Sequence, residues 1–329
     1  MASVDVTQPT RRPFTGRRVH LGDFLLQGIA GAAAAGATVL VGLIVWKVVE
    51  GARPSIAKFG LAFVWHAVWN PVVGREAYGA GSFIFGTAIT SFCALLLATP
   101  LAMGIALFLS ELAPRAIRAP VTALVETLAA VPSVVIGLWG ILVLGPALRT
   151  HIEGFLHSVL GFIPLFGPAS SSGASIFTAI IVLTIMILPI VSSISRELFL
   201  GVPHDLKEGA LALGATRWEM IRGVVFPYAR GGIAAALILG LGRAMGEAIA
   251  VTQVIGGGVF IHWSLFGQGD TLASKIAAEY QSATSNLDVA SLIYLGLILL
   301  VLSLLANIVA QYIVRSVARK HGVTRGGRA

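Results

Sequence analysis

At 329 residues the chain is long enough for two soluble domains, yet 56% of it is hydrophobic, only 12% is charged, and its mean hydropathy is +0.88. That balance excludes an ordinary water-soluble globular protein, whose surface cannot hold so much apolar side chain in water, and assigns the excess to lipid. The net charge of +8 does not indicate a nucleic-acid binder, because the basic residues are scattered between apolar blocks and form no stripe.

In chain order, a basic tail over residues 1–23 precedes six apolar segments, at 24–49, 83–109, 121–148, 175–194, 231–255 and 290–314. Each approaches or exceeds the roughly 20 residues that span a bilayer as a helix. The fold class expected is all-α, a polytopic transmembrane bundle over residues 24–314, closed by a second basic tail at 315–329. Arg17, Arg18 and the alanines 32–35 give the first segment some signal-peptide character. Its apolar run is longer than a typical signal core, so retention as a helix is expected.

With six spans, sixteen Lys and Arg fall on the side of the termini, including Arg115, Arg118, Arg196 and Lys207, and six on the other; Arg243 completes the 23. Basic residues collect on the cytoplasmic side, so both termini are expected there, in a multi-pass protein of the inner (plasma) membrane. The outer loop 50–82 carries Trp65, Trp69 and Tyr78, which suit a headgroup interface. The outer loop 149–174 contains Phe162-Ile163-Pro164-Leu165-Phe166-Gly167, too short and broken to span, and is expected to dip into the membrane or cap the outer mouth. Cys93 sits in an apolar run without a partner, and the histidines, His20, His66 and His262 among them, show no metal-ligand spacing.

Between the fourth and fifth spans, the loop 200–228 looks folded. Asp205 with Glu208 can cap one short helix, Gly214 can end it in the left-handed conformation, Thr216 with Glu219 can cap a second, and Pro227 is expected to stop that one. A helix resting on the inner leaflet would also suit Lys207, Arg217 and Arg222.

The fifth span holds Arg243 and Glu247, four residues apart and so on one face. A charge buried in hydrocarbon costs about 2.5 kcal/mol or more, which makes it a site hypothesis by default. Arg243 either meets an oxyanion in transit through its planar fork of donors, with Glu247 orienting it, or the two form an ion pair that holds helices together. Gly242 and Gly246 would allow close approach of a helix or ligand there. In the third span, Pro132 is expected to kink the helix; Glu126, six residues earlier, lines the same path or lies at the cytoplasmic end. Ser133, Thr252 and Gln253 are candidates for neutral hydrogen bonds to a solute or for helix-to-helix glue.

Two resemblances sharpen this reading. The stretch 203–227 resembles the cytoplasmic loop of ABC-importer permeases, matching its pattern at Glu208, Ala210, Gly214 and Pro227 with the spacing intact, and departing at Gly209, Val224 and Phe226. In that family the first helix docks in a cleft of a separate ATPase subunit. Gly242 to Thr252 with Gly256, Ala130 to Gly140, and Gly161 to Gly167 resemble the phosphate-importer permeases of the PstC type, a likeness spread over about three-quarters of the chain.

The resemblance implies half of a translocation path for inorganic phosphate, with Arg243 and Glu247 on the path. It further implies a second, non-identical permease subunit of the PstA type, two copies of an ATPase subunit, an extracytoplasmic phosphate-binding protein, and surrounding lipid. No Gly-x-x-x-x-Gly-Lys-Ser/Thr occurs, so the chain is expected to bind no cofactor itself, ATP and Mg being used by the partner. An importer of another oxyanion such as sulfate or molybdate would retain the same features. A secondary transporter would show internal duplication, which is not visible here.

Overall fold

A computed structural model describes residues 21–170 and 172–320. Most of the two basic tails, including Arg11, Arg12, Arg17, Arg18, Arg325 and Arg328, lies outside the described residues. The chain divides into two compact units, Met1–Lys47 and Val48–Ala329. Helix α1 (Leu21–Phe59) supplies the described part of the first and opens the second.

The second unit continues through α2 (Ala62–Trp65), a two-stranded antiparallel hairpin of β1 (Trp69–Asn70) and β2 (Ala77–Tyr78), and α3 (Gly81–Leu107), which a π-helical turn extends to Leu112. Next come α4 (Arg115–Ala130), then α5 (Ser133–Trp139), α6 (Gly145–Ala147) and α7 (Gly154–Leu160), the last three joined by π-helical turns into one rod. Helix α8 (Ile176–Leu200) precedes two short helices, α9 (His204–Ala212) and α10 (Arg217–Met220). Helices α11 (Phe226–Gly246), α12 (Ile249–Val254), α13 (Leu272–Glu279) and α14 (Asn286–Lys320) complete the chain.

Among the described residues, six helices are long and apolar enough to cross a membrane: Phe24–Phe59, Gly81–Leu112, Ser133–Leu160, Ile176–Leu200, Arg217–Gly246 and Asn286–Val314. The second, fourth and sixth lie within about six residues of the expected segments, and the first runs ten residues past its expected end, into the expected loop. The third does not match, because residues 121–148 form two helices. Val131 adopts ψ 127°, the extended conformation that a following proline imposes, and Pro132 starts a new rod that runs on through residues expected in an outer loop. The fifth differs at both ends. Its helix starts at Arg217, so Arg217, Arg222 and Arg230 ride on it, and it ends at Gly246, where Glu247 turns extended at ψ 114°.

Pro227 does not stop the second short helix, α10. A π-helical turn over Ile221–Val225, closed by the Phe226 N–H donating to the Ile221 carbonyl, opens the winding just ahead of it. Pro227 then falls in the first turn of α11, where a missing N–H is tolerated. The result is an unbroken helix from α10 to the fifth span.

The core of the second unit forms where small residues let backbones meet. Gly86, Thr90, Ala94, Ala98, Ala102 and Ala106 recur every fourth position and are all buried on α3. Ala94 and Ala98 of this stripe pack with Ile180, Leu183 and Ile187 of α8, and Ala106 with Phe199, the van der Waals contact that holds helices together where lipid is as apolar as leucine. At Gly86 a Cβ would stand 2.0 Å from the Asp270 carbonyl oxygen, so only glycine allows the outer loop to close on α3 there.

That loop and its neighbours form a cluster of their own. Trp69 and Tyr78 are buried in it, edge to face with centroids 4.8 Å apart, and so are not membrane-interface anchors; Trp65 is exposed. The Trp69 Nε1–H donates to Glu279 at 2.7 Å, and Lys275, paired with Glu279, lies over the Trp69 ring at 5.3 Å. The stretch 161–167 folds onto the loop before α13: Leu265 N–H donates to the Leu165 carbonyl at 2.9 Å and Gly167 N–H to Ser264 Oγ at 3.1 Å.

Asp270 lies under this cluster, accepting hydrogen bonds from the Ser274 hydroxyl and, at 3.1 Å, from Thr271 N–H. Burial pushes its carboxyl up to about 6, against the hydrogen bonds and Lys275, which pull it down, while Glu279 adds to the rise. The folded state therefore binds this proton more tightly than the unfolded chain does. Its stabilisation is fully present below the usual 3.8 and is lost as pH rises through about 6. Relative to Asp270→Asn, wild-type protein in detergent should lose melting temperature between pH ~4 and ~6, by the equivalent of at most about 3 kcal/mol. Parallel melting curves across that range would refute this.

Candidate functional site

Arg243 lies in the last turn of α11, where the carbonyl ends of the helix favour a cation. Its Nη2 stands 3.8 Å from a Glu247 oxygen, close enough for charge attraction and too far for a strong hydrogen bond. The other Glu247 oxygen accepts the Ala250 N–H at 3.3 Å, so the carboxylate also satisfies a backbone donor freed by the helix break. Glu247 is nearly enclosed, with 9% of its side chain exposed, whereas Arg243 is 42% exposed. The guanidinium is the free end of the pair.

That free end opens into a groove of about 840 Å³ whose polar lining is Arg243, Glu247, Asn307 and Gln311. Gly242 and Gly246 form part of its wall, and among the described residues nothing outside their own stretch of helix comes within 4 Å of where their Cβ atoms would be. The space they clear is left to whatever occupies the groove. Asn307 and Gln311, four apart on α14, were not singled out by sequence reasoning, since amides in a span are ambiguous until the facing helix is known.

The other candidate residues are elsewhere. Thr252 donates to the Ala248 carbonyl at 2.7 Å and the Ser274 carbonyl at 3.3 Å, tying α12 to α13. Gln253 packs over Gly137, where a Cβ would meet its Oε1 at 2.7 Å and the Ala250 Cα at 2.8 Å. Ser133 opens α5 beside the same contact. Glu126 is on α4 and lines a separate opening with Arg115, Arg118 and Arg196, so the structure does not bring it to Arg243.

Beyond the C-terminal end of α8, α9 and α10 form a compact knob. Gly214 turns the chain at φ +86°, a left-handed conformation that glycine accepts without strain, and Ala215 N–H closes the cap on the Ala210 carbonyl at 3.2 Å. The Thr216 hydroxyl and the Glu219 carboxylate cap α10 reciprocally. Asp205 sits in the first turn of α9 but makes no side-chain cap; Pro203 occupies the cap position. Glu208 is on the exposed face, 3.0 Å from His204.

Lys207 anchors the knob. Its Nζ lies 2.6 Å from Glu111 and donates to the Phe199 carbonyl at 3.0 Å, with only 12% and 11% of the two side chains exposed. The pair joins residues 96 positions apart, which no local pattern reveals. Breaking a nearly buried pair leaves the second charge uncompensated. Lys207→Met should therefore lower unfolding free energy by about 3 kcal/mol, and Lys207→Met with Glu111→Leu should recover most of it. A single variant that melts with wild type would show that the pair contributes nothing.

Residues 98–319 match a family described as the binding-protein-dependent transport system inner membrane component. The chain is similar to the phosphate transport system permease protein PstC of Mesorhizobium japonicum, 41% identical over 316 residues that cover 94% of this chain and 95% of that one. It is similar, also at 41%, to PstC of Pasteurella multocida over 86% and 88% of the two chains, and to PstC 2 of Mycobacterium tuberculosis over 95% and 98%.

Among solved structures it shares its fold with a bacterial alginate ABC transporter in complex with an alginate pentasaccharide-bound periplasmic protein. The TM-score is 0.62 at 16% identity, over 90% of this chain and 97% of that one. The inward-facing MetNI methionine ABC transporter is similar at TM-score 0.52 and 19% identity, over 71% and 93%.

Proposed function

The chain belongs to the family of binding-protein-dependent transport system inner membrane components, and from that premise we propose that it forms half of the translocation path of an ATP-driven importer of inorganic phosphate. It is a multi-pass permease subunit of the inner membrane, and its family works with separate ATPase and binding-protein subunits.

The observation that carries the phosphate reading is Arg243, its guanidinium free in the groove while Glu247 is held behind it. A planar fork of donors matches two phosphate oxygens at once. Glu247 keeps the empty site near neutral, so an anion is drawn in and then released. Asn307 and Gln311 offer the neutral amide donors that a partly dehydrated anion needs. The groove is open on one side, as half of a shared path would be, and a PstA-type permease subunit is the proposed second half.

Transport also needs a push. α9 presents Glu208 outward for an ATPase cleft, Ala210 and Gly214 shape the knob, and Pro227 lies in the helix that runs on into the fifth span. Docking force on the knob thus reaches Arg243 along one rod. ATP and Mg are used by two partner ATPase copies, with both termini and the knob in the cytoplasm and a phosphate-binding protein on the other face. The test is ATP hydrolysis by the reconstituted complex with its binding protein: phosphate should stimulate it and sulfate should not. Stimulation by sulfate or molybdate in place of phosphate would overturn the cargo and keep the importer.

A further inference from the structure

The opening that holds Glu126 has a chemistry the transport path does not use. Arg115, Arg118, Thr122 and Glu126 recur at three- and four-residue intervals, which puts them on one face of α4. Arg196 of α8 closes the other side, and together they line a space of about 370 Å³.

Part of each inner guanidinium is engaged within the chain. Arg118 donates to the carbonyls of Ser110 at 3.3 Å and Ala113 at 3.2 Å, and Arg196 to Glu197 at 2.9 Å. The remainder is not. The Nε atoms of Arg118 and Arg196 and the Thr122 hydroxyl are buried and have no hydrogen-bond partner among the described residues. Buried donors without acceptors are costly, and three guanidinium groups stand against two carboxylates, Glu126 across this space and Glu197 on Arg196. An anion with several oxygens would balance the excess positive charge.

Position narrows the choice. Arg115 and Arg118 follow directly on the second span, and Arg196 lies in the last turns of the fourth, so all three stand at the membrane surface on the side of the knob. Basic pockets between spans at that level suit phosphate-bearing headgroups.

We propose that this opening binds a phosphoryl oxyanion through Arg115, Arg118, Arg196 and Thr122, supplied either by the headgroup of an anionic phospholipid or by free inorganic phosphate. The site is separate from the Arg243 groove and stands whether or not that groove carries phosphate.

The full chain carrying Arg243→Gln, which removes the proposed transport site, would be delipidated in detergent and offered two probes. One is phosphatidylglycerol against phosphatidylcholine, read by native mass spectrometry; the other is radiolabelled inorganic phosphate, read by equilibrium dialysis. Saturable binding of phosphatidylglycerol alone identifies the lipid as the source, and saturable binding of phosphate identifies the free ion. In either case Arg118→Gln with Arg196→Gln should weaken binding by about tenfold or more. Arg115→Gln, at an exposed position where folding is not at stake, should weaken it by about threefold or more. If neither probe binds, or if both variants bind as the parent does, the proposal fails.

Discussion

Arg243→Gln should reduce phosphate uptake by about 100-fold or more while the complex still assembles. Glutamine keeps the length and some donors but removes the charge and the paired geometry. It also leaves Glu247, 9% exposed, as an uncompensated negative charge in the wall of the groove, which repels the solute.

Two further variants separate these effects. Arg243→Lys retains charge without the fork and should recover only part of the uptake. Arg243→Gln with Glu247→Gln removes the stranded carboxylate and should restore stability but not transport. The readout is uptake of labelled phosphate in cells lacking their own high-affinity system, with co-purification of partner subunits as the assembly control. Normal uptake by Arg243→Gln in an assembled complex would mean that the pair only fastens helices.

Glu208→Lys should lower uptake and phosphate-stimulated ATP hydrolysis together, by about tenfold or more, while insertion and folding stay intact. Glu208 lies on the solvent side of α9, and among the described residues its one side-chain pairing is an exposed contact with His204 at 3.0 Å, so folding depends little on it. A docking cleft would meet the same surface, and reversal of charge there strikes the partner. The contrast with Lys207 makes the test specific, since Lys207→Met acts through stability and Glu208→Lys should not. Unchanged uptake and ATPase activity in Glu208→Lys would remove α9 from the coupling path.

Much of this was legible in the residues. Lipid demands about 20 apolar residues for each helical crossing, so six spans could be counted from hydropathy alone. The Thr216–Glu219 capping box and the left-handed Gly214 of the knob are local signals and both are present, whereas the cap expected of Asp205 with Glu208 is not formed. Arg243 and Glu247 stood out because charge within an apolar run is expensive.

Other features were hidden for equally physical reasons. Val131 and Pro132 end a helix in this chain, yet Pro54, Pro100 and Pro189 lie inside helices that continue. Whether a proline kinks or breaks a span depends on which neighbours satisfy the freed carbonyls, and those are distant in sequence. For Pro227 a π-helical turn gave a third outcome, continuity of the knob with the fifth span. Trp69 and Tyr78 read as interfacial aromatics, but Glu279 and Lys275, some 200 positions on, engage the Trp69 ring, and Tyr78 packs edge to face against it.

The residues by themselves thus determined the solvent, the number of crossings, the knob and the identity of the charged pair, because each rests on composition or on contacts within one helical turn. Tertiary structure decided where the third and fifth spans break, that the groove is shared with Asn307 and Gln311, that Glu126 belongs with Arg115, Arg118 and Arg196, and that Lys207 is tied to Glu111. Each of those joins helices far apart in the chain. Which face a helix buries in lipid-rich surroundings is set by the neighbour it packs against, and hydropathy, nearly uniform around such helices, carries no record of it.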